Sequence, residues 1–191
     1  MKLVFATNNQ HKLKEIREIA GNDIEIVSLV EMGFMAEIPE DEETLEGNAR
    51  QKALYIHERL RIDCFADDTG LEIEALEGRP GVYSARYAGE GCSFSDNINK
   101  VLLELEGEQN RKACFRCVIS LILNGKEYQF EGRVDGVITE EKRGETGFGY
   151  DPVFIPDGHT RTFAEMPPYL KNGISHRGRA MRKMVKFLAN G

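Results

Sequence analysis

"KACFRCVISLILNGKEYQFEGRVDGVI", residues 112–138, holds two long apolar-rich runs on either side of Asn124-Gly125. Asn-Gly tolerates positive φ at both central positions of a type I′ turn, whose twist matches that of the strands it joins. The stretch therefore predicts a long antiparallel hairpin. Its surroundings predict βα units instead. "KLVFA" (2–6) reads as a buried strand, followed by a helix in which Leu13, Ile16, Ile19 and Ala20 share one face and Gly21 ends it. "IEIVSL" (24–29) reads as a second strand, and Ala49, Ala53, Ile56 and Leu60 mark a second helix. "CFADD" (64–68) reads as a strand end and "LEIEAL" (71–76) as a half-exposed strand. A helix over about 95–106 buries Ile98, Val101, Leu102 and Leu105, and a last one over about 178–189 packs Met181, Met184, Val185 and Leu188. Parallel βα units plus a hairpin make an α/β protein with a mixed sheet. The expected organisation is one domain over 1–191, with two lobes flanking a central substrate cleft.

With 191 residues, 41% of them hydrophobic and 30% charged, the chain suits one soluble domain. No apolar stretch approaches the roughly 18 residues of a membrane span, and Asn8, Asn9 and Gln10 cut short the apolar start, so a cytoplasmic protein is expected. A net charge of −7 argues against a broad nucleic-acid surface. Cys114 and Cys117 have zinc or redox spacing, but they lie in a strand pattern where positions three apart face opposite ways. Buried free thiols are the expectation.

The chemistry-bearing stretches fall where strands end. Thr7, Asn8, Asn9, Gln10, His11 and Lys12 join the first strand to the first helix, and a helix N-terminus with hydroxyl, amide and ammonium donors suits phosphate. An ordinary cap by Thr7 or Asn8 explains the same residues. Asp67-Asp68-Thr69-Gly70 reads either as an Asx turn with Gly70 at positive φ or, with the acidic loop Glu40–Glu43, as carboxylates for Mg²⁺. Gly147-Phe148-Gly149-Tyr150-Asp151 lets backbone approach a flat ligand beside an aromatic face. Lys171 and "ISHRGRA" (174–180) add cations ahead of the last helix. Together these are the parts of a nucleoside triphosphate site.

From "ATNNQHKLKEI" through "ADDTGLEIEALEGRPGVYSARYAG" and "GFGYDPVF" to "ISHRGRA", the chain resembles the inosine triphosphate pyrophosphatase family almost end to end. The resemblance implies Mg²⁺-dependent hydrolysis of non-standard purine nucleoside triphosphates (ITP, dITP, XTP) to monophosphate and pyrophosphate by a homodimer. It implies that Thr7, Asn8, Asn9, Gln10, His11, Lys12 and Lys171 contact the nucleotide. Asp68 becomes the catalytic acidic residue and a metal ligand, and Thr69 touches substrate. Phe148, Gly149, Tyr150 and Asp151 line the nucleoside, and His176 and Arg177 the base. The family often has serine at position 69, and an acidic pair where this chain has Glu46-Gly47; the second metal carboxylate is therefore placed at Glu40. A nucleotide-binding sensor without turnover is the alternative, and a γ-phosphatase releasing orthophosphate a further one.

Overall fold

The computed structural model describes residues 1–22 and 24–190. Among them the strands form one sheet in the order β2-β1-β3-β5-β6-β7, with β4 also paired to β3. The strands are β1 (Lys2–Phe5), β2 (Glu25–Ser28), β3 (Cys64–Ile73), β4 (Pro80–Gly81), β5 (Lys112–Leu123), β6 (Lys126–Ile138) and β7 (Phe154–Pro156). The helices are α1 (Gln10–Ala20), α2 (Leu45–Leu60), α3 (Phe94–Glu104), α4 (Pro168–Ile174) and α5 (His176–Ala189). β1 runs parallel to β2 and β3, whereas β4 is antiparallel to β3 and β7 to β6, so the sheet is mixed as expected. The β5–β6 turn has Asn124 at φ 51° and Gly125 at φ 73°, the backbone that Asn-Gly favours.

The chain divides into two compact units, one comprising Met1–Asp68, Cys117–Gly132 and His176–Gly191, the other Thr69–Arg116 and Arg133–Ser175. In the first unit β1 is buried on both faces, as a parallel strand covered by helices on each side must be. Leu3 and Phe5 join Leu13 and Ile16 of α1 and Met181 and Met184 of α5. Val4 and Ala6 turn the other way, toward Ala53 and Ile56 of α2. Phe65 stacks on Phe5 with ring centroids 4.7 Å apart, two side chains whose burial stabilises by about 1.5–3 kcal/mol each. α5 lies directly on β6 at Gly132, where a Cβ would come within 2.0 Å of the His176 carbonyl oxygen. The second unit has its own core, in which Ile98 and Val101 of α3 and Leu105 just beyond it meet Leu71, Phe115, Phe154 and Phe163.

Several boundaries differ from those expected. β3 does not end at Asp68; it continues to Ile73, and only Glu74–Leu76 turns away, as a 3-10 segment. Gly70 is extended rather than at positive φ, and its missing side chain serves close packing: a Cβ there would sit 2.7 Å from the Gly81 carbonyl oxygen of the paired strand. α1 is capped by Asn9, not by Thr7 or Asn8. α5 starts at His176, and α4, β4 and β7 are too short to leave a periodic signal. Among the described residues no helix is long and apolar enough to cross a membrane.

Candidate active site

Because β3 runs on through the aspartates, strand alternation sends Asp67 and Asp68 to opposite faces of the sheet. Phe65 and Asp67 share the face covered by α1 and α5, whereas Cys64, Ala66 and Asp68 share the face covered by α2. Two neighbouring carboxylates thereby acquire separate surroundings.

On the α1/α5 face Asp67 is buried between cations. Lys12 of α1 reaches its Oδ1 at 3.2 Å, and Arg177 donates from Nε to Oδ2 at 3.1 Å. Arg177, itself only 2% exposed, also donates from Nη1 to Glu15, a buried carboxylate on α1. Burial alone would raise the Asp67 carboxyl, but Lys12, Arg177 and Lys52 outweigh it and hold it well below the usual carboxylate range. Asp67 is therefore a permanent anion that fixes both cations.

On the α2 face Asp68 meets three partners. Lys52 lies 3.4 Å from Oδ1, Asn48 donates from Nδ2 to Oδ2 at 3.2 Å, and Glu40 shares the Lys52 ammonium with Asp68. Burial first, then the charge of the neighbouring Glu40, outweigh the lysines and push Asp68 to about 6. Glu40 goes the other way, because Lys52 and Lys12 more than offset its burial. Burial would lower Lys52, but Asp68 and Glu40 raise it, so it stays an ammonium. Asp68 is thus the carboxyl poised to take or give a proton near neutrality.

Between β1 and α1 the expected phosphate donors are partly occupied within the loop. Thr7 Oγ1 accepts from the Asn9 backbone N–H at 3.1 Å, and Asn9 Oδ1 caps the helix by accepting from the N–H groups of His11 and Lys12. Asn8, Gln10 and His11 point outward. At the opposite end of the chain, His176 and Arg177 form the first turn of α5 and are buried.

In the second unit Asp151 organises the Gly147–Asp151 turn. Its Oδ2 accepts from the Phe148 N–H at 2.8 Å and from Lys171 Nζ at 2.5 Å. A side chain at Gly147, φ 78°, would strike that oxygen at 2.1 Å, so only glycine lets the turn close on Asp151. The Lys171 ammonium lies 5.2 Å from the Phe148 ring and 5.7 Å from that of Phe163. Tyr150 is buried with its hydroxyl donating to the Ser84 carbonyl, while Phe148, Gly149 and Thr69 stay partly exposed.

Sequence reasoning missed Lys52, Asn48 and Glu15. The signal was present for the first two: on α2 they fall at i and i+4 inside the same stripe as Ala49, Ala53 and Ile56, so polar groups interrupt an apolar face. Among the described residues, no group of three or more His, Cys, Asp and Glu side chains is arranged to hold a metal. Asp68 and Glu40 do converge on one ammonium, and two oxygen-donor side chains already gathered round a cation fit a hard divalent ion that takes its remaining ligands from water and phosphate.

The chain matches the model of the Ham1 family over residues 3–187. It is 54% identical to the dITP/XTP pyrophosphatase of Porphyromonas gingivalis over 98% of this chain and 97% of that one. It is 51% identical to the dITP/XTP pyrophosphatase of Flavobacterium johnsoniae over 98% of each. Its fold is similar to a solved Ham1 protein from Coxiella burnetii (TM-score 0.90, 38% identity, 100% of both chains) and to one from Staphylococcus aureus (TM-score 0.89, 38% identity, 100% and 99%).

Proposed function

The chain belongs to the Ham1 family, and on that premise we propose that it hydrolyses non-standard purine nucleoside triphosphates to monophosphate and pyrophosphate. The observation that carries this reading is the pairing of Asp68 with Glu40 around Lys52, beside relatives that are dITP/XTP pyrophosphatases at 54% and 51% identity. ITP, dITP and XTP are the proposed substrates.

Glu40 and Asp68 would hold a divalent cation, for which Mg²⁺ is the hard-oxygen choice, and its charge would neutralise the departing pyrophosphate. Asp68 orients the attacking water and accepts its proton at a carboxylate oxygen. Lys12 and Lys52, fixed by Asp67 and by the carboxylate pair, supply positive charge to the phosphates. The outward side chains of the 7–12 loop and Lys171 add donors, and Thr69 a hydroxyl. Phe148 offers a stacking face, with Gly149 giving room and Asp151 and Tyr150 holding the turn in shape. His176 and Arg177 address the base; Glu15 and Asp67 set the plane of the guanidinium. A homodimer in the cytoplasm completes the proposal and is checked by light scattering and fractionation.

The deciding experiment offers ITP, dITP, XTP, ATP and GTP with Mg²⁺ and assays both pyrophosphate and orthophosphate. Pyrophosphate from the first three, well ahead of ATP and GTP, is expected. Orthophosphate alone would indicate cleavage at the γ position, and tight binding without either product a nucleotide sensor.

A further inference from the structure

Asn48 lies one turn before Lys52 on α2 and is completely buried. Its amide works in two directions. Oδ1 accepts the backbone N–H of Glu42 at 2.9 Å, and Nδ2 donates to Asp68 Oδ2 at 3.2 Å. Flipping the amide would set donor against donor at Glu42 and oxygen against carboxylate at Asp68, so the partners fix its orientation. The Glu42 N–H belongs to the acidic turn that carries Glu40, and a second anchor, the Asp41 N–H to Gln51 Oε1 at 3.2 Å, ties that turn to the same helix. Gly47 allows the close approach: a Cβ there would sit 2.9 Å from the Glu42 Cβ. The glycine at position 47 thus has a packing reason.

We propose that Asn48 is a positioning residue that aims both carboxylates of the candidate metal site, Asp68 directly and Glu40 through the turn it anchors. With Oδ2 of Asp68 held by an amide, Oδ1 is the oxygen left facing Lys52, which also meets Glu40. One buried side chain then sets the spacing between two acids that come from different elements. Groups that orient metal-binding carboxylates in this way typically change metal affinity or activity by about 10–100-fold when removed.

The inference rests on the hydrolase reading, and its test has a readout independent of turnover. Mn²⁺ is titrated into the nucleotide-free protein by electron paramagnetic resonance, with ITP kinetics in parallel. Asn48→Ala is expected to bind Mn²⁺ about 10–100-fold more weakly and to lose kcat by a similar factor, with KM for ITP within about threefold of wild type. Asn48→Asp separates the two contacts, since it keeps the acceptor for Glu42 but presents an anion to Asp68; kcat should fall at least as far. Folding of each variant is followed by circular dichroism, and if Asn48→Ala does not fold, Asn48→Asp carries the kinetic comparison. Unchanged Mn²⁺ affinity and kcat in folded Asn48→Ala, or wild-type kcat in Asn48→Asp, overturns the assignment, as does an effect confined to KM. A wild-type protein that binds Mn²⁺ but releases no pyrophosphate would instead sink the hydrolase reading and leave the Mn²⁺ comparison standing.

Discussion

Arg177 Nε meets Asp67 Oδ2 at 3.1 Å although 110 residues separate them in the chain. Both side chains are excluded from water, at 2% and 0% exposure. Removing one member of a buried pair strands the other as an uncompensated charge, which costs about 3–5 kcal/mol. Arg177→Ala should therefore lose about that much in urea unfolding, with Arg177→Lys intermediate because lysine keeps the charge but not the fork. A loss under about 1 kcal/mol would mean that Lys12 alone suffices for Asp67.

Asp68→Asn should abolish pyrophosphate release, at least about 10²-fold in kcat, while leaving ITP binding within about tenfold. Its stability should behave differently. The folded carboxyl, at about 6, lies above its ordinary 3.8, so the folded state holds the proton more tightly. That contribution is complete below 3.8 and is lost as pH rises through about 6. In chelator, the stability of Asp68→Asn relative to wild type should thus rise by on the order of 2–3 kcal/mol between pH 4 and pH 8. A difference that does not change with pH contradicts the raised carboxyl.

The thiols should sort by burial. Cys64 is pushed up to about 12 by burial and then by the Asp63 charge, and Cys114 up to about 11 by burial and Glu72. Cys92 is half-buried, beside Asn97. Iodoacetamide at pH 8 should modify Cys92 alone in the folded protein and all four thiols in guanidinium, read by mass spectrometry. Rapid native labelling of Cys114 or Cys117 would contradict their placement in the strand.

Gly132→Ala should be severe. Its Cβ would lie 2.0 Å from the His176 carbonyl oxygen and 2.5 Å from the Ala180 nitrogen, both backbone, so α5 has to lift off β6. Thermal unfolding should report at least about 2 kcal/mol of destabilisation, and kcat should fall because Arg177 rides on the displaced turn. An unaffected melting temperature would mean the contact is looser than described.

What was legible in the chain was whatever has a period or a required backbone. The hairpin followed from Asn124-Gly125, and the long helices from their apolar spacing. The Asp67-Asp68 pair stood out because carboxylates after Phe65 and Ala66 demand partners. Those partners were only partly legible: Lys52 interrupts the apolar stripe of α2, but that it, Lys12 and Arg177 meet the pair is decided only by tertiary packing. The end of β3 was misplaced for the same reason. Asp67 and Asp68 resemble a turn when no counter-ion is in view, and they remain in a strand because cations wait on both faces. Asn48 likewise interrupts the α2 stripe, but its partners are invisible without the turn that packs on it.

α5 follows every other described helix and strand in chain order, and with it comes Arg177. During synthesis at about 5–20 residues per second, Asp67 exists for about 5–20 s before its guanidinium partner is made. Until then the nascent chain has Lys12 to answer that carboxylate and nothing from α5 to answer Glu15. Full pairing of Asp67 and Glu15 therefore waits on α5, and a copy stalled before residue 176 lacks both the guanidinium and the helix that packs over their face.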